Sequence, residues 1–333
     1  MKHEIIQEDF EQIAMLHLPW EALKGTRIFI TGATGFIGSY LARAFCWLNH
    51  QMDLGLTVLL IHRKGTVPAF FDESVQWLEG ALTEDFLPEW IVPDIIIHAA
   101  SPANQRAIAS DPAGIVECNV LATDYLLKSA HRYNARILFF SSGEVYQRQS
   151  GRIAEKAAEV LAESGICSFY GSSKLSGEVL CERYRKKYNV DSRVIRLFSI
   201  FGPGEPLTSG RCFTDFMQQA LDNHRIRVNG PGTQVRSYCY LSDFVSGLLY
   251  ILLKGESTVY NIGNESNVCT ILELAKKIAA VNGNTEVLGP FSTGTQIDHF
   301  VPDTQKLREL EWQPKVDMQA CIRRCLNSYR QRK

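Results

Sequence analysis

The stretch Thr31-Gly32-Ala33-Thr34-Gly35-Phe36-Ile37-Gly38 constrains this chain more than any other, because of what stands on either side of it. Before it comes the short apolar run RIFIT (27–31), and after it a helical pattern over 35–48. A glycine-rich turn between a strand and a helix can cradle an anion. Gly32 permits the tight turn, Gly35 leaves room for a pyrophosphate, and Gly38 lets helix and strand pack closely. The helix N-terminus then offers unpaired N–H groups to the phosphate, with Thr34, Phe36 and Ile37 completing the loop. A lone glycine pattern is weak. Here the flanking strand and helix agree, and the turn predicts a dinucleotide site.

The rest of the chain continues that rhythm. Apolar runs recur at 57–61, 75–80, 94–100, 136–142 and 192–198, with helical patterns between them, notably over 112–132 and 172–188. Alternation of this kind implies an α/β fold: a Rossmann-type doubly wound parallel sheet covered on both faces. After residue 199 the rhythm breaks into Gly/Pro-rich loops, a helix over 212–223 and another over 270–283. Thr270 and Glu273 of the latter fit a capping box. The sequence thus divides into an N-terminal helical extension (1–24), a dinucleotide-binding domain (25–198) and a smaller C-terminal substrate-binding lobe (199–333). VYNIG (259–263) is a candidate for a strand that returns to the main sheet.

Several function classes lose support at once. Formal net charge is −1 and no long basic run exists, so binding to nucleic acid is not expected. No stretch approaches the ~20 apolar residues of a membrane span, and the N-terminus lacks the layout of a signal peptide. Nine scattered cysteines, with no metal-ligand spacing, read as reduced thiols in a cytoplasmic protein rather than as a disulfide framework or a metal site.

The second apolar run ends Ile61-His62-Arg63-Lys64. An acid there would bind a ribose 2′-hydroxyl, whereas an Arg accommodates a 2′-phosphate. His62 and Arg63 therefore favour NADP. NAD stays open, since backbone groups can also hold the plain ribose. Farther on, Tyr170 and Lys174 lie four apart, on one face of a helix. A neighbouring ammonium and a cationic nicotinamide would lower the phenol pKa from near 10 and let Tyr170 exchange a proton at a sugar hydroxyl. The run that ends FFSSGEVY (139–146) places Ser142 at the carboxyl end of a strand, where ligands bind in such sheets.

Taken in order, TGATGFIGSYL, HAASP, SSGEVY and YGSSK resemble the extended short-chain dehydrogenase/reductases that act on nucleotide-linked sugars. The similarity runs from about residue 26 to about 328 and is nearest to UDP-glucuronate decarboxylases and nucleotide-hexose 4,6-dehydratases. It implies that Ser142, Tyr170 and Lys174 form the catalytic set, with Glu144 as a carboxylate found in dehydratases and decarboxylases. It further implies that Ala99, Ala100 and Ser101 line the cofactor, and that Ser101, Ser199, Arg211 and Arg236 meet the substrate. EWQPKVDMQACI (311–322) resembles the group's C-terminal signature. The expected reaction is oxidation at C4 of a nucleotide sugar by tightly bound NADP or NAD, followed by dehydration or decarboxylation. A 4-epimerase or a 4-keto-sugar reductase is the alternative. A non-catalytic dinucleotide-binding module is disfavoured, because Ser142, Tyr170 and Lys174 are all present. A homodimer is expected by resemblance. Three departures stand out: Gly143 where dehydratases carry an Asp and decarboxylases a small hydroxyl residue, Ser199 in place of an Asn, and Gln147 in place of a Gly.

Overall fold

The computed structural model describes residues 4–63, 72–82, 88, 91–103, 105–146, 151–157, 166–289 and 299–331. Its centre is a parallel sheet of seven strands. In chain order these are β1 (Arg27–Thr31), β2 (Thr57–His62), β3 (Val75–Glu79), β4 (Ile95–His98), β5 (Arg136–Ser142), β6 (Ser192–Leu197) and β7 (Val259–Ile262). Their order across the sheet is 7-6-5-4-1-2-3, and every neighbouring pair is parallel. The chain therefore turns back between β1 and β4. A doubly wound sheet opens its ligand crevice at that switch point, outside the carboxyl ends of the strands.

Alternation within each strand explains why both faces are covered. Ile28, Ile30, Leu138 and Phe140 pack toward the helices Phe36–Met52 and Leu241–Lys254. Their neighbours Phe29, Ile137 and Phe139 enter a second core with Leu126, Leu127, Cys181 and Tyr184 of the helices Ala122–Tyr133 and Ile166–Tyr188. The predicted helix over 112–132 is broken up: Pro112–Val116 and Ala122–Tyr133 are α-helical, and Glu117–Leu121 between them is a π-helical turn. The helix predicted from 172 begins earlier, at Ile166.

VYNIG does return to the sheet as β7, beside β6. A third core gathers Phe213, Met217, Leu274, Ile278, Ile322 and Leu326 from the helices Cys212–Asn223, Ile271–Asn282 and Met318–Arg330. Thr270 and Glu273 make the predicted capping box. A small sheet lies beside this core, in the order Val268–Thr270, Val235–Ser237, His299–Pro302, Arg152–Ile153. The C-terminal signature is a clamp: Trp312 Nε1 donates to Ser246 Oγ (2.9 Å), and the Asp243 carboxylate accepts from the backbone N–H of Lys315 (2.8 Å) and Val316 (3.1 Å).

The N-terminal helix Glu4–Ala14 docks by an apolar face carrying Phe10 and Ile13, and by a polar one carrying the fully buried Asp9. The Asp9 carboxylate accepts from the hydroxyls of Tyr40 (2.9 Å) and Tyr240 (3.1 Å) and is paired with Arg324. No helix among the described residues is long and apolar enough to cross a membrane.

Candidate active site

Three groups pin the ends of β1 and β4 together at the switch point. His98 is fully buried, and its Nε2 faces the Cys118 carbonyl at 3.0 Å, so that nitrogen carries the proton. Its Nδ1 then accepts from the Thr31 hydroxyl (2.8 Å), which in turn accepts from the Ala100 N–H (3.1 Å). Burial holds the imidazole neutral, with its pKa pushed down to about 3. On this support Gly32 adopts φ +72°, and a Cβ there would stand 2.7 Å from the Ala100 nitrogen. A Cβ on Gly38 would meet the Gly32 carbonyl oxygen at 2.2 Å. Only glycine allows the turn and the helix to approach this closely.

Thr34 and Gly35 are exposed, Phe36 and Ile37 half-buried, and no side chain caps the helix start at Gly35. These residues fit a pyrophosphate. At the end of β2, half-buried His62 packs its ring against Trp77 (5.7 Å), and Arg63 is exposed. Lys64 lies outside the described residues.

The second half of the site is built on the end of β5. The Ser142 side chain accepts from the Glu144 N–H (3.2 Å) and so starts the one-turn helix Gly143–Val145. Glu144 is exposed, while its carbonyl oxygen lies 2.2 Å from where a Cβ on Gly171 would stand. That contact brings the helix Ile166–Tyr188 directly onto the turn. Tyr170, Lys174, Ser142, Glu144 and Ser101 are thereby collected at one end of the sheet.

One property of this set differs from the sequence expectation. Burial pushes the Tyr170 phenol up to about 12, and the Glu144 charge acts the same way, against a hydrogen bond with Ser101. Lys174 is 2% exposed and donates to the Phe140 carbonyl (2.7 Å), with its Nζ 5.9 Å from the Tyr170 ring centre. Desolvation lowers its pKa to about 8, opposed by Cys118 and Glu178. The protein's own groups thus raise the phenol pKa instead of lowering it, because desolvation and the neighbouring Glu144 and Cys118 outweigh the hydrogen bond with Ser101.

The sequence reading missed Asn119, in the π-helical turn. Its Oδ1 accepts from Ser101 (2.9 Å), and its Nδ2 donates to Ser173 (3.0 Å), whose hydroxyl donates to the Tyr170 carbonyl (2.7 Å). Local wide turns of this kind recur at functional sites. The only signal in the sequence was a polar residue on an apolar helix face.

The predicted substrate residues are spread more widely. Ser199 follows β6 with φ +39°, a conformation Asn adopts more readily than Ser. The Arg211 guanidinium donates to the Ile200 carbonyl (2.6 Å) and to buried Glu205 (3.0 Å). Arg236 donates to the Val235 carbonyl (2.8 Å) and sits 5.7 Å from the centre of the Phe300 ring. Phe300 in turn fills the space beside Gly143, where a Cβ would be 2.4 Å from its ring. Gln147 lies outside the described residues.

A doubly wound sheet with a glycine-rich turn at its switch point, and a Ser, a Tyr and a Lys gathered beside it, defines a nicotinamide-dinucleotide-dependent protein of the dehydrogenase type. Residues 28–263 match the family described as NAD dependent epimerase/dehydratase, and the chain belongs to that family. It is 31% identical over 324 residues to UDP-glucuronic acid decarboxylase 2 of Arabidopsis thaliana, covering 93% of this chain and 69% of the relative. Among solved structures it is similar to UDP-glucose 4-epimerase of Thermotoga maritima, with TM-score 0.79, 22% identity and coverage of 92% and 99%. It also resembles UDP-glucuronic acid 4-epimerase of Bacillus cereus, with TM-score 0.76, 24% identity and coverage of 92% and 100%.

Proposed function

We propose that the protein oxidises C4 of a nucleotide sugar with tightly bound nicotinamide dinucleotide and then decarboxylates the resulting ketone, a UDP-linked uronic acid being the best fit. The observation that carries this reading is the stack Arg236–Phe300–Gly143 beside Glu144. Dehydration needs a proton donor for the departing hydroxyl, and the position that would supply it is a glycine backed by an apolar ring. Decarboxylation needs no such donor. Carbon dioxide leaves with cleavage of the C5–C6 bond, the bonding electrons pass to the 4-keto group as an enolate, and C5 then takes up a proton. Arg236 suits a sugar carboxylate or a diphosphate through its planar fork.

The bound nicotinamide supplies hydride acceptance and return, with a positive charge near the phenol when oxidised. Tyr170 takes the proton of the C4 hydroxyl and later gives one back. Lys174 tunes the phenol, Ser142 orients the reacting oxygen, and Ser101 holds Tyr170. Residues 25–198 serve the dinucleotide and 199–333 the nucleotide sugar, with 1–24 as an extension that braces both. Arg63, without an acid at the end of β2, favours NADP over NAD. That same feature, together with the missing acid at Gly143, supports the second reading, a 4-epimerase or a 4-keto-sugar reductase.

The protein acts as a homodimer in the cytoplasm in this proposal. Support comes from the exposed apolar side chains Val116, Leu121, Phe169 and Val179 on adjacent helices, and from the free thiols among the described cysteines.

Mass spectrometry after incubation with UDP-glucuronate, UDP-glucose, dTDP-glucose, CDP-glucose and GDP-mannose, without added cofactor, tests the proposal. Loss of carbon dioxide from UDP-glucuronate is expected. Loss of water from a hexose would replace decarboxylation by dehydration, and an unchanged mass throughout would favour the second reading. Glu144→Gln should slow the decarboxylase at least about tenfold if its carboxylate handles the C5 proton; full activity would remove it from that step.

A further inference from the structure

We propose that the buried ion pair Glu178–Arg196 is a positioning device, which holds the Ser142–Glu144 turn in register with the helix bearing Tyr170 and Lys174. The inference rests on the catalytic reading above and assigns to it two residues that touch no reacting atom. Both side chains are nearly inaccessible, at 6% for Glu178 and 5% for Arg196.

The turn is tied to this pair from both flanks. Before it, the Ser141 hydroxyl donates to Glu178 Oε1 at 2.5 Å. After it, the Tyr146 hydroxyl accepts from Arg196 Nη1 at 2.8 Å. Glu178 lies one helical turn beyond Lys174, so the partner that grips the turn belongs to the catalytic helix itself.

The remaining bonds leave the pair little freedom. Arg196 meets the carboxylate in a bidentate fork, through Nε (2.9 Å) and Nη2 (2.5 Å), and gives Nη1 also to the Glu155 carbonyl (2.8 Å). The Tyr146 hydroxyl donates to Asn261 Oδ1 (2.6 Å), and the Asn261 amide donates to the carbonyls of Ile153 (2.9 Å) and Asp303 (3.1 Å). Ile153 ends the strand paired with the one that carries Phe300, and Asp303 directly follows the latter. One network therefore reaches the catalytic turn, the catalytic helix and the wall beside Gly143.

Apolar side chains would join helix to sheet with less desolvation, so a buried ion pair alone argues weakly for stability. A charged pair does what apolar packing cannot. It fixes directions through bidentate hydrogen bonds, and it leaves a carboxylate one turn from the Lys174 ammonium. The groups that face that ammonium are Cys118 from the π-helical turn, His98 from β4, and Tyr170 and Glu178 from its own helix.

The test uses Ser141→Ala, Tyr146→Phe and Glu178→Gln in the full chain as purified with its cofactor. Hydrogen exchange of the peptide spanning 141–146 is read first, and it requires no substrate. Exchange there should rise about tenfold in Ser141→Ala and Tyr146→Phe, with the other strands of the main sheet unchanged. With the nucleotide sugar that the wild type converts, kcat should fall about tenfold with KM within about twofold.

Glu178→Gln should also move the alkaline limb of the rate–pH profile down by about one unit, since Lys174 loses its anionic neighbour. Mere loosening would leave that limb in place. Wild-type exchange and kcat in folded Ser141→Ala and Tyr146→Phe overturn the proposal, as does an unmoved limb in folded Glu178→Gln. If Glu178→Gln does not fold, the two milder variants decide. Failure of the wild type to convert any nucleotide sugar defeats the functional reading, while hydrogen exchange still judges the positioning.

Discussion

Gly143 and Phe300 share one small volume, and only the ring of Phe300 occupies it. Phe300 fills the space in which a residue before Glu144 would place its own Cβ. Gly143→Ser should therefore overpack the site and cost about 1–3 kcal/mol of stability, read as a fall in thermal midpoint. Adding Phe300→Ala should recover part of that loss. A Gly143→Ser variant as stable as wild type would show that the ring yields freely. Tyr170 presents the converse case, a residue whose side chain the proposed reaction requires and whose surroundings oppose its ionisation. Tyr170→Phe removes one hydroxyl and should lower turnover by about 10²–10⁴-fold while the cofactor stays bound. Near-normal turnover would exclude the phenol as the proton carrier.

Among the elements, the N-terminal helix makes an unusual attachment, through a carboxylate sealed between two phenols and an arginine. Burial pushes the Asp9 carboxyl up to about 7, despite the charge of Arg324 and the two hydroxyl donors. A raised carboxylate pKa means that the folded protein holds its proton more tightly than the unfolded chain. Its stabilising contribution is complete below the unfolded value of 3.8 and fades as pH rises through 7. Wild type should consequently lose stability relative to Asp9→Asn between pH 4 and 7, by up to about 1.4 kcal/mol per pH unit. Denaturant titrations across that range measure it. A difference independent of pH would mean that Asp9 is ionised throughout.

At the scale of the molecule, the helices Ala122–Tyr133 and Ile166–Tyr188 cover one face of the sheet, and a few apolar side chains stand exposed among the charged ones on their outer side. Leu121 at the start of the first is 46% exposed and Val179 on the second 61%. If these side chains form the proposed dimer contact, glutamates at both positions should yield a monomer in sedimentation equilibrium. A variant that remains dimeric would place the interface elsewhere. The same double variant should keep its fold, because neither side chain enters a core.

The sequence by itself determined the parallel sheet, the glycine turn, the capping box at Thr270, the place of Ser142 at a strand end and that of Tyr170 and Lys174 on one helix face, while Glu144 came from the family resemblance. Apart from Glu144 these rest on local patterns: alternating apolar runs, a turn that tolerates only glycine, and spacing along a helix. Tertiary structure decided what depends on neighbours distant in sequence. It set Phe300 against Gly143 across 157 positions, and it placed Asn119 under Ser101 and Ser173. It also engaged Arg211 with Glu205, and joined Glu178 to Arg196 from a helix and a strand. The direction of the Tyr170 shift belongs with these. Desolvation is a property of the surroundings in three dimensions, and no spacing along the chain reports how deeply a phenol is buried.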